Sequence, residues 1–401
     1  MKNLLRYGSF VCLILLFSHT ALSAQIADSI PQKDMKDVIR SIVKHNRNAQ
    51  RNALLPQTRN VELSIAPVAG YSLSTGAAIV LASNVGFYLG DRATTNMSAI
   101  SANAIYTQYN QINIPLEVNV WTKNNSFNIT ADWRLMLYPL QTYGLGTKTT
   151  DSDATLLNFT YIRMYESVLK NLGANWYAGM GFNLDYYTKT TIGTLPENQI
   201  PDAVTYGIQP KSISSGATLN LLYDSRKNPI HPMGGEQYAN IVYRNNATFL
   251  GSNNNWQSLI IDLRKYIKLG NDRHVLGFWS YHAFTLAGNP PYQVLSSTGW
   301  DTYNNTGRGY VQGRFRGKNM VYVESEYRFP ITRNGLFSGV AFVNGQSFAE
   351  PTSKRFEAVA LGYGVGLRIK INKETNSNIA LDYGFGQNGS RGFFLNLGEV
   401  F

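Results

Sequence analysis

One cysteine, Cys12, stands in 401 residues, so no disulfide framework supports this chain. Charge is sparse as well: Asp, Glu, Lys and Arg make up 15% of the sequence, against roughly 25% in soluble domains. Past residue 25 there is no apolar run of the ~18 residues a transmembrane helix requires. Catalytic and metal signatures are missing too. No Gly-x-Ser-x-Gly elbow supports a serine hydrolase, and no Gly-x-x-x-x-Gly-Lys loop supports a nucleotide phosphate site. His45, His231, His274 and His282 form no His-x-x-x-His pattern. His274 and His282 fall on one face of one expected strand but about 26 Å apart, too far to share a metal. These absences leave no expected cofactor, metal or enzymatic activity.

Aromatic residues and glycine are plentiful instead, with Tyr 25 and Gly 35. That composition suits many short, aromatic-edged strands rather than a helical bundle. At the N-terminus, Lys2 and Arg6 precede the apolar stretch Val11–Phe17 and the small-residue run Ala21-Leu22-Ser23-Ala24. This pattern predicts a signal peptide over 1–24, cut before Gln25. The formal net charge is +11. In an exported chain we read it as lumen, loop and lipid-headgroup contact rather than nucleic-acid binding.

A period-two pattern carries the fold. Val359, Leu361, Tyr363, Val365, Leu367, Ile369 and Ile371 alternate with Ala360, Gly362, Gly364, Gly366, Arg368 and Lys370. A strand shows each face at every second residue, so this segment has one greasy side and one wet side. It is long enough for the ~9–11 tilted residues of a membrane strand. Ile112–Val120, Val321–Phe329 and Ile379–Phe385 repeat the pattern. Between turn signals, strands are expected near 61–71, 74–87, 94–108, 111–122, 125–138, 155–169, 172–187, 211–223, 237–248 and 256–269. Six more are expected near 272–285, 318–330, 335–346, 357–372, 376–386 and 391–401. Sixteen is an even number, as a single-chain bacterial barrel requires. The long connections at 139–154, 188–210 and 286–317 then share one end, expected to be extracellular, and short turns share the other. The predicted fold is an all-β, transmembrane antiparallel barrel of about sixteen strands over 61–401.

Two stretches are more specific than a generic barrel. The first, Leu221–Gly235, holds Asp224 and Arg226, placed to pair across an expected periplasmic turn that Pro229, Pro232 and Gly235 shape. The second holds Gly307-Arg308-Gly309-Tyr310, then Gly313-Arg314-Phe315 and Glu324-Ser325-Glu326-Tyr327-Arg328. Together they resemble the outer-membrane assembly-factor superfamily of the BamA/TamA or bacterial surface antigen type. Tyr143-Gly144-Leu145-Gly146, after Tyr138-Pro139, is similar to that family's third-loop motif.

The resemblance implies that the 286–317 loop folds into the lumen with Arg308, Gly309 and Tyr310 at its tip and Glu326 as a wall partner. It implies a closing strand containing Phe393, Phe394, Leu395, Leu397 and Phe401, and a weak seam between first and last strands. Opening that seam would insert or translocate polypeptides or lipids without catalysis. One departure concerns the family's Phe-x-Asp-x-Gly strand, which reads Phe342-Val343-Asn344-Gly345 here, so Asn344 keeps a hydrogen bond and loses the charge. Another is upstream: residues 25–60 are too few for a POTRA domain and read as a short basic segment with helix-like apolar spacing over Met35–Val43. Expected partners are outer-membrane lipid and lipopolysaccharide, polypeptide clients at the seam, and the host barrel-assembly machinery for the chain's own insertion; nucleic acid is not among them. The alternative function is a passive pore or surface antigen whose barrel stays closed.

Overall fold

The computed structural model describes residues 31–43, 61–193, 200–270, 273–301, 304–373 and 376–401. The expected signal peptide over 1–24 and most of the 25–60 segment lie outside these residues.

Alternation in the sequence becomes β1 (Val61–Ser72), β2 (Gly76–Phe87), β3 (Ser98–Thr107), β4 (Ile112–Trp121), β5 (Phe127–Thr142) and β6 (Thr155–Gly173). There follow β7 (Trp176–Ile192), β8 (Ser212–Asp224), β9 (Gln237–Asn246), β10 (Trp256–Lys268) and β11 (Val275–Gly288). A two-residue pair, β12 (Ser296–Ser297) and β13 (Arg316–Gly317), lies inside the next connection. The series ends with β14 (Asn319–Pro330), β15 (Phe337–Phe348), β16 (Ala360–Asn372), β17 (Ser377–Phe385) and β18 (Arg391–Leu397). Apart from the short pair, all lie in one sixteen-stranded antiparallel sheet in chain order, matching the expected count. The largest boundary difference is β7, which ends at Ile192 rather than near 187; β5 also overruns its expected end, passing through Pro139, opposite Asn158, to Thr142. The proline reads as a stop in the sequence because it donates no ladder bond, yet the strand continues past it.

The two faces separate as the pleat demands. In β16, Leu361, Tyr363 and Val365 are 53%, 58% and 60% exposed, while Ala360, Gly362 and Gly364 are buried. An apolar outer face with charge confined inside is the arrangement that lipid, rather than water, solvates well. One end of the sheet carries tight turns. Between β6 and β7, Ala174 and Asn175 have φ of 48° and 66°, the left-handed twist a close hairpin needs. The connections 143–154, 193–211 and 289–318 leave the other end, while the turn end carries one connection as long as the first of these, 225–236 between β8 and β9.

At the turn end sits α1 (Met35–Val43). Asp34 caps it, accepting from Asp37 N at 2.9 Å, while Asp37 Oδ2 accepts from Asp34 N at 3.3 Å. The helix is tied to the β16–β17 turn: Lys373 N donates to Asp34 Oδ2 (3.0 Å) and Lys373 Nζ to Asp37 Oδ2 (2.8 Å). That ammonium hydrogen bond holds the Asp37 carboxyl below the usual carboxylate range.

β1 and β18 stand side by side. A Cβ built on Gly70 falls 2.4 Å from Leu395 Cδ2, and one on Gly392 falls 2.2 Å from Leu73 Cγ. Among the described residues no backbone ladder joins these two strands, whereas every other neighbouring pair in the sheet is laddered. The closing strand is also shorter than expected. β18 stops at Leu397, Gly398 turns at φ +89°, and Phe401 is buried in the interior instead of extending the strand. The reason is chemical. Glu399 and Phe401 find cations and aromatic rings inside the barrel that the strand edge does not offer.

Candidate functional site: the lumen loop and its wall

In the connection from β11 to β14, Gln293, Thr298, Asp301, Thr306, Arg308, Tyr310 and Phe315 are all buried. Its tip is Gly307–Tyr310. Arg308 is 1% exposed and meets three carboxylates. Nη2 donates to Glu324 Oε1 and, at 2.5 Å, to Glu326 Oε2; Nη1 donates to Asp382 Oδ2 at 2.6 Å. The Phe342 ring lies 3.7 Å beneath the guanidinium carbon. Glu324 and Glu326 come from β14 at spacing two, hence one face, and Asp382 comes from β17. A guanidinium that donates along several directions suits such a convergence; a lysine would supply one point charge.

The backbone of the tip is held just as closely. Asn344 Nδ2 donates to Arg308 O at 2.9 Å, so Asn344 meets the tip's main chain. Tyr310 Oη donates to Leu361 O (2.6 Å) and accepts from Gln387 N (2.9 Å). Ser390 Oγ donates to Gly309 O at 2.7 Å. Gly309 has φ +109°, a region closed to most L side chains, and a Cβ there would lie 2.6 Å from Phe385 O. Opposite it, a Cβ on Gly384 would lie 2.7 Å from Gly309 N. The tip therefore sits directly on the wall of β16 and β17.

Below the tip the ionic network continues toward the turn end. Arg328 Nε donates to Glu326 Oε1 (2.8 Å), and Arg368 donates to Asp382 Oδ1 (2.5 Å) and Glu399 Oε2 (2.8 Å). Glu399 belongs to the segment after β18. Its neighbour Val400 O accepts from Asn305 Nδ2 of the loop at 2.7 Å, and Phe401 O accepts from Arg328 Nη2 at 2.7 Å. The Phe401 ring stacks on Trp279 (5.4 Å) and Tyr266 (6.2 Å). Loop, wall and the end of β18 are thus one connected unit. Removing a single charge from it leaves its partners buried and unpaired, which costs about 3–5 kcal/mol.

The turn motif forms its own pair. Arg226 Nε and Nη2 donate to Asp224 Oδ1 and Oδ2, both at 2.9 Å. Gly235 adopts φ +98°, and Pro229 and Pro232 flank the bend around His231. Pro232 O accepts from Arg328 Nη1 at 3.3 Å, so this turn reaches the lumen network. Of the closing-strand residues, Phe393 and Leu397 face outward, 41% and 56% exposed, while Phe394 and Leu395 are half-buried. Tyr143 and Leu145 are buried, and Gly146 N donates to Arg316 O at 2.8 Å.

Three features went unread in the sequence. Glu324 and Asp382 join Glu326 around Arg308. A second interior cluster links Asp132, Arg134, Arg163, Asp185 and Arg244 across β5, β6, β7 and β9, with Arg163 to Asp132 at 3.1 Å and Arg244 to Asp185 at 2.6 Å. The third is the recurrence of the acid-x-arginine step expected at Asp224/Arg226: Asp132/Arg134, Asp262/Arg264 and Glu326/Arg328 repeat it, each pairing within one strand face. That spacing was visible in the sequence as a signal for inward-facing ion pairs.

No protein-family model matches the chain, and no curated protein matches it. Solved structures do. BamA from Haemophilus ducreyi lacking POTRA domains 1–3 is 14% identical with a TM-score of 0.54, over 85% of this chain and 70% of that one. CdiB from Acinetobacter baumannii is 14% identical with a TM-score of 0.53, over 85% and 60%. CdiB from Escherichia coli is 11% identical with a TM-score of 0.56, over 86% and 63%. This chain spans less than two thirds of either CdiB chain. At such identities the likeness is one of fold: a sixteen-stranded barrel of the BamA and CdiB type.

Proposed function

We propose that this chain is an outer-membrane barrel of a Gram-negative bacterium that inserts or translocates polypeptides, or lipids, noncatalytically at the boundary between β1 and β18. The observation that carries the reading is the missing ladder between those strands among the described residues. An unladdered strand presents free N–H and C=O groups, which template an incoming strand by β-augmentation. Pro67 in β1 fits an edge, since proline donates no ladder bond. The loop-filled interior favours lateral passage over a wide pore.

In this reading the long connections face outside and the tight turns face the periplasm, where clients arrive. Arg308, with Glu326 and its neighbours, is a latch that fixes the loop; the Asp224–Arg226 turn braces the periplasmic side. The 1–24 signal peptide is removed on export, and the 25–60 segment, with α1 docked on the turn end, serves as a tether. Lipid and lipopolysaccharide surround the barrel, and the host barrel-assembly machinery inserts it. A closed surface protein is the second reading, favoured by the side-chain contacts of Leu395 over Gly70 and Leu73 over Gly392.

Hydrogen–deuterium exchange in lipid nanodiscs separates the two. Insertion activity requires β1 and β18 amides to exchange at least about tenfold faster than those of the β8–β9 ladder. Equal protection at both places means a closed barrel and defeats the proposal.

A further inference from the structure

α1 is docked by its polar side. Asp34 and Asp37, the only carboxylates in residues 31–43, both turn to Lys373, at 3.0 Å from its N and 2.8 Å from its Nζ. Lys33 N donates to Asn334 O at 3.0 Å, so the lead-in is held by the β14–β15 turn as well. Each helical residue advances about 100°, which puts Asp37 about 200° from both Met35 and Ile39. The docked side is therefore roughly opposite the apolar one. Ile39 is 53% exposed, and Met35 and Val38 are only half-buried. Lys36 and Arg40, one turn apart, are exposed along one flank of this apolar stripe. Asp37 attracts Arg40 through space but holds Lys373 directly. Four cations, Lys33, Lys36, Arg40 and Lys373, thus stand against two carboxylates that are already engaged.

The outer wall marks a headgroup level at the same end. Lys170 of β6 and Lys265 of β10 share the outward face with the exposed Val168 and Leu172, and Leu263 and Ile267. Each stands three residues from its strand's last residue at the turn end. A lysine so placed lays its stem on apolar surface and sends its ammonium to the phosphates.

We infer that α1 is an interfacial helix: its Met35–Ile39 side enters the headgroup boundary of the leaflet at the turn end, and Lys36 and Arg40 bind anionic phospholipid there. A helix fixed by its polar side, with an apolar stripe left open and cations beside it, is complementary to an anionic membrane surface. The docking at Lys373 holds it at the barrel's edge, where lipid begins. The inference rests on the barrel lying in a membrane and does not depend on insertion activity.

The test uses the mature chain in nanodiscs of phosphatidylcholine, with or without phosphatidylglycerol. One nitrobenzoxadiazole label is attached at Ile39→Cys or, as control, at Ser41→Cys two residues on. Nitroxide-bearing lipids are expected to quench the label at 39 more than the label at 41, and more strongly when phosphatidylglycerol is present. Lys36→Gln combined with Arg40→Gln leaves the docking carboxylates untouched and should lower the ratio of lipid-engaged to released helix at least about tenfold. Equal quenching at 39 and 41 overturns the inference. So does quenching at 39 that neither phosphatidylglycerol nor the two substitutions alter. A label at 39 shielded from water but out of reach of the nitroxides would mean that polypeptide covers this side, and overturns it too. A heat-modifiability shift on gels confirms that each variant is folded before it is scored.

Discussion

Arg308→Ala is expected to free the inner loop from the wall while the barrel still assembles. The alanine leaves Glu324, Glu326 and Asp382 buried around a vacated guanidinium site. Their mutual repulsion and lost partners cost about 3–5 kcal/mol locally, as much as the tip's surrounding hydrogen bonds supply together at roughly 1 kcal/mol each. The barrel is secured separately by backbone ladders along its length, so the damage stays in the loop. In intact membranes, protease added from outside should cut within 289–318 in the variant and not in the parent chain. Arg308→Lys should be intermediate, because an ammonium keeps the charge and loses the fork that reaches three carboxylates. An unchanged digestion pattern for Arg308→Ala contradicts the latch.

The second large effect is expected from closing the seam covalently. A Cβ built on Gly70 lies 3.8 Å from Leu395 Cβ, which is the mean separation in a disulfide, about 3.8 Å. Paired Gly70→Cys and Leu395→Cys should therefore oxidise readily. The only native cysteine is Cys12, inside the expected signal peptide, so no competing thiol is expected in the mature chain. If client strands enter between β1 and β18, the oxidised pair should abolish outer-membrane insertion of clients in cells and reductant should restore it. Either single cysteine should behave as the parent chain. Full activity with the disulfide formed would place the client path elsewhere.

Much of the barrel was legible because strand alternation and turn signals are local: together they mark sixteen segments, and the structure has sixteen strands in its sheet. The Asp224–Arg226 pair was legible for the same reason, both residues lying within one short motif. Around Arg308 legibility fell off with sequence distance. Glu326 was proposed from its motif, but Asp382 reaches the same guanidinium only because register sets it opposite Gly366 on the neighbouring strand. No local pattern encodes that height. Asn344 was read as a weakened wall partner for the arginine side chain, whereas its amide meets the arginine's backbone carbonyl. Phe401 was read into the last strand because alternation runs through Phe393, Leu395 and Leu397. Gly398, free to turn at φ +89°, was the signal that the strand ends there. Glu399 then explains the inward course, since its carboxylate meets Arg368 and Asn378 inside the barrel.

The most direct test of the insertion proposal is photo-crosslinking in living cells, with the probe placed in turn along residues 61–71 and 393–397. Adducts with nascent or exported chains at both edges are expected if β1 and β18 receive client strands. Crosslinks confined to β1 with β18, with no client captured at either edge, would contradict that proposal and leave a closed surface barrel.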